Sequence, residues 1–450
     1  MEVRHRLKIT HRARQFRISR VAFELAAFAL TPLLFPGSAS AQQPRYTGPG
    51  SCSSASCHGA VQPRSDNSVL QNEYTTWAVQ DKHSRAFSAL TGDPGKRMAH
   101  NLNINAATSS RCIGCHTLDV PDDQKARTFD INDGVSCENC HGAASNWLGP
   151  HTANDGSYAK SVALGLYDTR DLIRRNEKCL SCHLGDDAKS VDHEMIAAGH
   201  PDLYFEIESF SAVMPPHWKE AGASDASAVA KGLAVGQAVQ LREWMRRIGR
   251  DAAQIWPQYA DLDCFACHHS LTAAKDSWRQ ERGYAGRKAG SPPFNASRFA
   301  VLDLIAKQLD GAAARRLDVE VAKVNQLVSD PQADRRQISA AAGQAAATAD
   351  TLARDLAAMN PDSAVSAGLI NAICADSERI AAQGERSAEQ AGMVINSLFI
   401  GYEQGKRPMN DARIRSAIGD LYKQFENPSS YNPEAFARSL RDLGALAGGL

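Results

Sequence analysis

Apolar residues follow two different patterns along the chain, and the change comes near residue 297. Beyond it, steps of three and four repeat. Ile338, Ala342, Ala345, Ala349, Leu352, Leu356 and Met359 form one stripe, the spacing of a helix face that packs on a neighbour. Asn360-Pro361 ends that helix. Shorter stripes run through Leu369, Ile373 and Ile380, then Ile414, Ile418, Leu421 and Phe425. Asn432-Pro433 reads as an N-cap with proline at the first helical position, ahead of Phe436, Leu440 and Leu443. Residues 297–450 are therefore expected to form an α-helical bundle. Residues 42–275 show little sustained period and much Gly, Asn and Asp punctuation ("NDGVSC", "LGDD"). One helix interrupts that region, with Leu233, Val235, Val239, Trp244, Met245 and Ile248 among charged residues and an end near Pro257. A Gly-, Pro- and Arg-rich stretch, 276–296, reads as a linker between two domains. The predicted fold class is mainly α with much irregular structure.

The N-terminus has a pattern of its own. Seven Arg and Lys residues precede the apolar run Val21–Phe35, broken by Glu24, and "PGSASAQQ" follows. This is the layout of an export signal cleaved after Ala41. An uncleaved anchor is the alternative, but the run is short, contains Pro32 and is followed at once by Pro36. No other stretch approaches a membrane span. The remainder carries 43 basic and 48 acidic residues, a balance that excludes a strongly basic nucleic-acid surface. Export to the periplasm also changes how cysteines are read, since eleven of them in an oxidising compartment would ordinarily suggest disulfides.

Their spacing points elsewhere. Cys112-Ile-Gly-Cys115-His116, Cys137-Glu-Asn-Cys140-His141, Cys179-Leu-Ser-Cys182-His183 and Cys264-Phe-Ala-Cys267-His268 are all C-x-x-C-H, the haem c attachment signature. Two thiols so spaced reach the two vinyl groups of one porphyrin, and the adjacent His is delivered to the iron. Zinc ribbons also use C-x-x-C pairs, but they have no need of a His directly after the second Cys. A fifth site, "CSSASCHG", spaces Cys52 and Cys57 as C-x4-C before His58. It forms either two thioethers through a bulged loop or one through Cys57. Five covalently bound haem c groups are expected. Cys374 stands alone at helical spacing from Ile370 and reads as a small buried apolar residue.

Each iron also has a distal face. Beyond the five proximal histidines and two in the presequence, His83, His100, His151, His193, His200, His217 and His269 remain, all between the first motif and just past the last. His83 shares a helical face with Phe87 and Leu90. His193 reads as projecting from a short helix, and His200, ahead of Pro201, from the turn that ends it. His151, His217 and His269 complete the distal candidates, with His100 the weakest. Met98, Met195 and Met214 could ligate, but the histidine supply makes this unnecessary.

The run "TTWAVQDKHSRAF" after the first motif, then "RCIGCH", "GVSCENCHG" with a nearby "GPH", and "KCLSCH" resembles the multihaem cytochrome c-554 family over about residues 50–200. The resemblance implies stacked haem pairs, with His83 serving the third haem, His151 the first, and the second haem five-coordinate. The C-x4-C-H motif and the fifth site depart from that family. The reading is an electron-transfer cytochrome passing electrons between redox partner proteins through bis-His haems. The alternative is a reductase of a small nitrogen compound or oxyanion at one five-coordinate haem. The bundle, without a histidine, is expected to cap the haem domain or to serve docking or homo-oligomer formation, and not to be needed for holding haem.

Overall fold

The computed structural model describes residues 43–66, 69–217, 226–264, 268, 294–362, 364–405, 410–427 and 430–448. The predicted export signal, most of the predicted linker, Cys267 and His269 lie outside them. The chain is mainly α-helical, as expected, and the only β pairing among the described residues is two isolated bridges.

Short helices dominate the motif region: α1 (Glu73–Gln80), α2 (Ala86–Thr91), α3 (Asp93–Leu102), α4 (Ser110–His116), α5 (Cys137–His141), α6 (Leu148–His151), α7 (Tyr158–Ala163), α8 (Leu172–His183), α9 (His193–Ala197) and α10 (Ile207–Val213). The long α11 (Ala226–Gln254) follows. Then come α12 (Ser297–Ala300), α13 (Leu302–Leu309), α14 (Gly311–Val328), α15 (Arg335–Ala358), α16 (Ala364–Ala375), α17 (Ser377–Ala382), α18 (Glu385–Gly405), α19 (Asp411–Lys423) and α20 (Pro433–Ala447). The predicted cap of the last helix is present: the Asn432 side chain accepts from Ala435 N–H, with Pro433 at the first turn.

Packing does not divide at the expected linker. Between Gly232 and Arg242 every residue of α11 is buried, the mark of a helix enclosed on all sides. It lies against α15 along much of its length, and also touches α8, α10 and α18. One hydrophobic core thus runs from Leu180 of α8 and Leu184 just past its end through Leu233, Leu241 and Met245 to Leu352, Ile373, Phe399 and Leu440. Residues 44–450 form one compact unit. Polar ties cross the same boundary. Arg242, almost wholly buried, meets Glu177 of α8 at 2.6 Å and Asp350 of α15 at 2.7 Å. Glu206 accepts from Ser397 at 2.9 Å. The α15 stripe that begins at Ile338 is therefore covered by α11 of the same chain. A small residue on α11 also lets α10 approach: a Cβ at Gly236 would stand 2.6 Å from Ile207 Cγ2.

The motif region has little core of its own. Ahead of α8 the buried apolar residues gather into two small clusters, one around Phe87, Leu90 and Cys112, the other around Ala144, Trp147 and Leu166. That is too little apolar burial to hold more than a hundred residues.

Two outcomes follow from this packing. A chain ending at Arg287 would strip the partners from one side of α11, exposing Leu233, Leu241, Met245 and Ile248, each worth about 1.5–3 kcal/mol when buried. Such a chain should fail to fold around α8, read as loss of its accumulation or of its cooperative melting. Recovery of a folded product would mean the shared core is dispensable. The second concerns Asp261, fully buried beside Arg247 at 3.1 Å. Neither of its oxygens has a hydrogen-bond donor, so burial outweighs the ion pair and pushes its pKa up to about 7. With the folded pKa above the unfolded one, the native state holds the extra proton. Stability from this group is then present below about pH 4 and falls as pH rises toward 7. Asp261→Asn should flatten that part of the melting-temperature profile, and an unchanged slope would contradict the assignment.

Candidate haem-binding site

The motifs are built on short helical turns, so that the second Cys and the His lie on adjoining faces. Cys112–His116 falls within α4, Cys137–His141 forms α5 and Cys179–His183 ends α8. In the first motif the two extra residues make a bulge: His58 N–H donates to Cys52 O at 3.2 Å, and Cys57 N–H to Ser54 O at 2.8 Å. Gly59 closes it, because a Cβ there would lie 1.8 Å from Ser53 O. All ten described cysteines are free thiols; Cys374 is buried between α16 and Gly444 of α20.

The histidines come together in facing pairs. Ring centroids stand 6.2 Å apart for His58 and His151, 6.4 Å for His116 and His200, 6.3 Å for His83 and His183, and 6.2 Å for His193 and His268. An ion between two imidazoles keeps each nitrogen at about 2 Å, with each ring centre about 1 Å further out, which places the centroids roughly 6 Å apart. The spacing is that of two axial ligands, and each pair joins a motif histidine to a histidine from elsewhere in the chain.

The nitrogen chemistry fits as well. His58 Nδ1 lies 2.8 Å from Glu73 Oε2, His83 Nδ1 3.0 Å from Asp81 Oδ1, His116 Nδ1 2.9 Å from Ala86 O and His200 Nδ1 2.7 Å from Pro201 O. Each oxygen is an acceptor, so Nδ1 carries the proton and Nε2 is left as the basic nitrogen. His217 differs: Nδ1 meets Pro215 O at 2.5 Å and Nε2 meets Asp81 Oδ2 at 3.3 Å, so both nitrogens already face oxygen acceptors. His100 is exposed at the end of α3.

Two of the resemblance's implications do not match this arrangement. His83 faces His183 of the fourth motif and not His141 of the third. α1 stops at Asp81, whose side chain accepts from His83 N–H and starts a new 3-10 turn, Lys82–Arg85; that turn aims His83 away from the helical face shared by Phe87 and Leu90. The second motif's His116 has a facing ring, while His141 has none among the described residues. His141 remains open to water, yet burial, followed by the nearby His58, His217 and His151, drives its pKa down to about 4.

Thiols of different motifs adjoin. Cys52 lies close enough to Cys137, and Cys115 to Cys182, for each thiol to shift the other's titration; Cys140 lies within electrostatic reach of Cys182. Lys189 Nζ donates to Gly114 O at 2.7 Å and approaches Cys182 Sγ at 3.3 Å, pinning α4 to α8. In space the motifs therefore run first, third, fourth, second. Arg111 beside the second motif is paired with Asp192 at 2.8 Å, next to His193, which brings the fifth alongside the second.

The polypeptide also leaves room for groups it does not supply. Trp147 Nε1, whose ring stands 5.8 Å from that of His151, and Arg298 Nε and Nη1 are buried donors without an acceptor. Burial lowers the Arg298 pKa to about 10. Propionate carboxylates are acceptors of the kind such donors require. Together with the thin core around the motifs, these features fit porphyrins filling the spaces between the rings. Sequence reasoning missed Glu73, Asp81 and Glu138. The last, buried, accepts from Gly48 N–H at 2.6 Å and Ala144 N–H at 2.7 Å and ties the chain start to the third motif. Only Asp81, two residues before His83, carried a local signal, as an acid ahead of a turn.

Residues 52–142 match the family model described as cytochrome c554 and c-prime. The cytochrome c-554 of Nitrosomonas europaea is 27% identical over 178 residues, 36% of this chain and 68% of that protein. No solved structure matches the chain significantly. Motif order, facing histidines and these matches agree: residues 52–142 of this chain are similar to the cytochrome c-554 family.

Proposed function

We propose that the mature chain carries five haem c groups and passes electrons between redox partner proteins in the periplasm. Cys52 and Cys57, Cys112 and Cys115, Cys137 and Cys140, Cys179 and Cys182, and Cys264 and Cys267 hold them, with His58, His116, His141, His183 and His268 as proximal ligands. The observation that carries this reading is the common spacing of the four facing imidazole pairs. His151, His200, His83 and His193 are accordingly the distal ligands of the first, second, fourth and fifth haems. Haem c supplies a one-electron iron couple, and bis-His ligation without a thioether favours lower potentials than Met/His ligation. The chain's part is to hold the rings in place, to exclude bulk water, and to keep neighbouring motifs in contact from the first to the fifth. No helix among the described residues is long and apolar enough to cross a membrane.

A second reading rests on His141. With no facing ring among the described residues, its iron would keep an open position at which a small nitrogen compound or oxyanion could be reduced. Asp81 lies within electrostatic reach of Cys140, and His217 of His141.

Intact mass of the purified holoprotein should correspond to five haems; a mass for four would remove the C-x4-C-H site. Its oxidised spectrum should show four low-spin haems and one high-spin haem that binds cyanide or carbon monoxide. His151→Ala should add a second high-spin haem at the first site, whereas His217→Ala should add none. An entirely low-spin parent would sink the open position at His141 and with it the second reading. A His151→Ala spectrum identical to the parent's would sink the pairing.

A further inference from the structure

The facing pairs differ in what backs their rings. In the first pair His58 is backed by the carboxylate of Glu73, at 2.8 Å, and in the fourth His83 is backed by that of Asp81, at 3.0 Å. In the second pair both rings are backed by neutral carbonyls, His116 by Ala86 O and His200 by Pro201 O. Both carboxylates are firmly held. Glu73 uses its other oxygen to accept from Leu70 N–H at 2.9 Å and Gln71 N–H at 3.1 Å. Asp81 is only 6% exposed, also accepts from His83 N–H at 3.0 Å, and meets His217 with its second oxygen.

We propose that Glu73 and Asp81 are positioning residues that lower the reduction potentials of the first and fourth haems, leaving the second haem the higher-potential site. The inference rests on the axial-ligand reading above. A carboxylate accepting the Nδ1 proton draws it from the ring, so the imidazole gains anionic character and Nε2 becomes the stronger donor. The negative charge also lies close to the iron in a partly dry setting. Both effects favour the ferric state, which carries one more positive charge than the ferrous, and so lower the potential. A backbone carbonyl offers the same geometry without the full charge. Because the fourth motif adjoins the second through Cys182 and Cys115, an electron moving between them runs downhill from fourth to second. Nothing in the residue spacing signals this, since Glu73 is fifteen positions from His58 and reaches it only because α1 folds back on the first motif.

The test is a spectroelectrochemical titration of the full-length holoprotein, followed by electron paramagnetic resonance at stepped potentials. Glu73→Gln and Asp81→Asn should each keep the parent's haem content and low-spin signals. Each should move one midpoint upward, a different one in the two variants, and the double variant should move both. Midpoints that coincide with the parent's, or that shift downward, would overturn the proposal while leaving the ligation intact. If Asp81→Asn fails to retain haem, Glu73→Gln decides alone. The parent gives an independent readout. The low-spin ferric signal abolished by His200→Ala identifies the second haem, and in the parent that signal should vanish before those of the first and fourth haems. Its persistence to the lowest potential would equally overturn the assignment. High-spin signals from the first or fourth site in the parent would instead remove the axial-ligand reading itself.

Discussion

Distance between imidazoles is the constraint on which the arrangement depends. Four pairs of rings from remote parts of the chain stand at 6.2–6.4 Å, and little else in the motif region could hold those segments together. The apolar clusters there are small, and the helices that carry the motifs are mostly one or two turns long, too short to persist without tertiary support. On the proposed ligation, ring pairs spanning an iron would convert weakly structured segments into a fixed frame, and porphyrins would supply the apolar surface that the polypeptide lacks.

The second support is α11. Enclosed on every side, it carries the motif region into the bundle through α8 and α10, and arginines on it reinforce the join. Arg242 is held by carboxylates from α8 and α15, while Arg247 donates to Leu184 O at 3.0 Å and Val191 O at 2.9 Å, just past the fourth motif and just before His193. Breaking such a buried pair from one side costs several kcal/mol, on the order of 3–5, because the remaining charge is stranded. The bundle therefore acts on the haem region by bracing its chain, even though it contributes no ligand.

Frame and brace together give the rings fixed surroundings, which is what allows small chemical differences to matter. A carboxylate behind one imidazole and a carbonyl behind another are equivalent for ligation but unequal for the charge on the iron. On the same reading a haem at His141, which has no facing ring among the described residues, would keep an open sixth position, so that transport and reduction would draw on one scaffold.

How much of this was legible beforehand depends on the range of the interaction. The haem motifs, the helical stripes around Ile338–Met359, the cap at Asn432 and the short helix ending before His200 were readable because each is set by residues a few positions apart. The sequence alone therefore determined the attachment chemistry, the helical class and the set of histidines from which distal ligands could come. It did not determine which histidine meets which motif. His83 reached the fourth motif because a capping turn at Asp81 redirected it, a rotation that no period in the sequence encodes. Nor did the Gly- and Pro-rich stretch around 276–296 mark a break in packing. Whether two halves share a core depends on whether their faces meet, and α11, buried on nearly all sides over Gly232–Arg242, is completed by helices from beyond the linker. Pairing, shared core and the carboxylates behind the rings are long-range contacts, and the tertiary structure alone decided them.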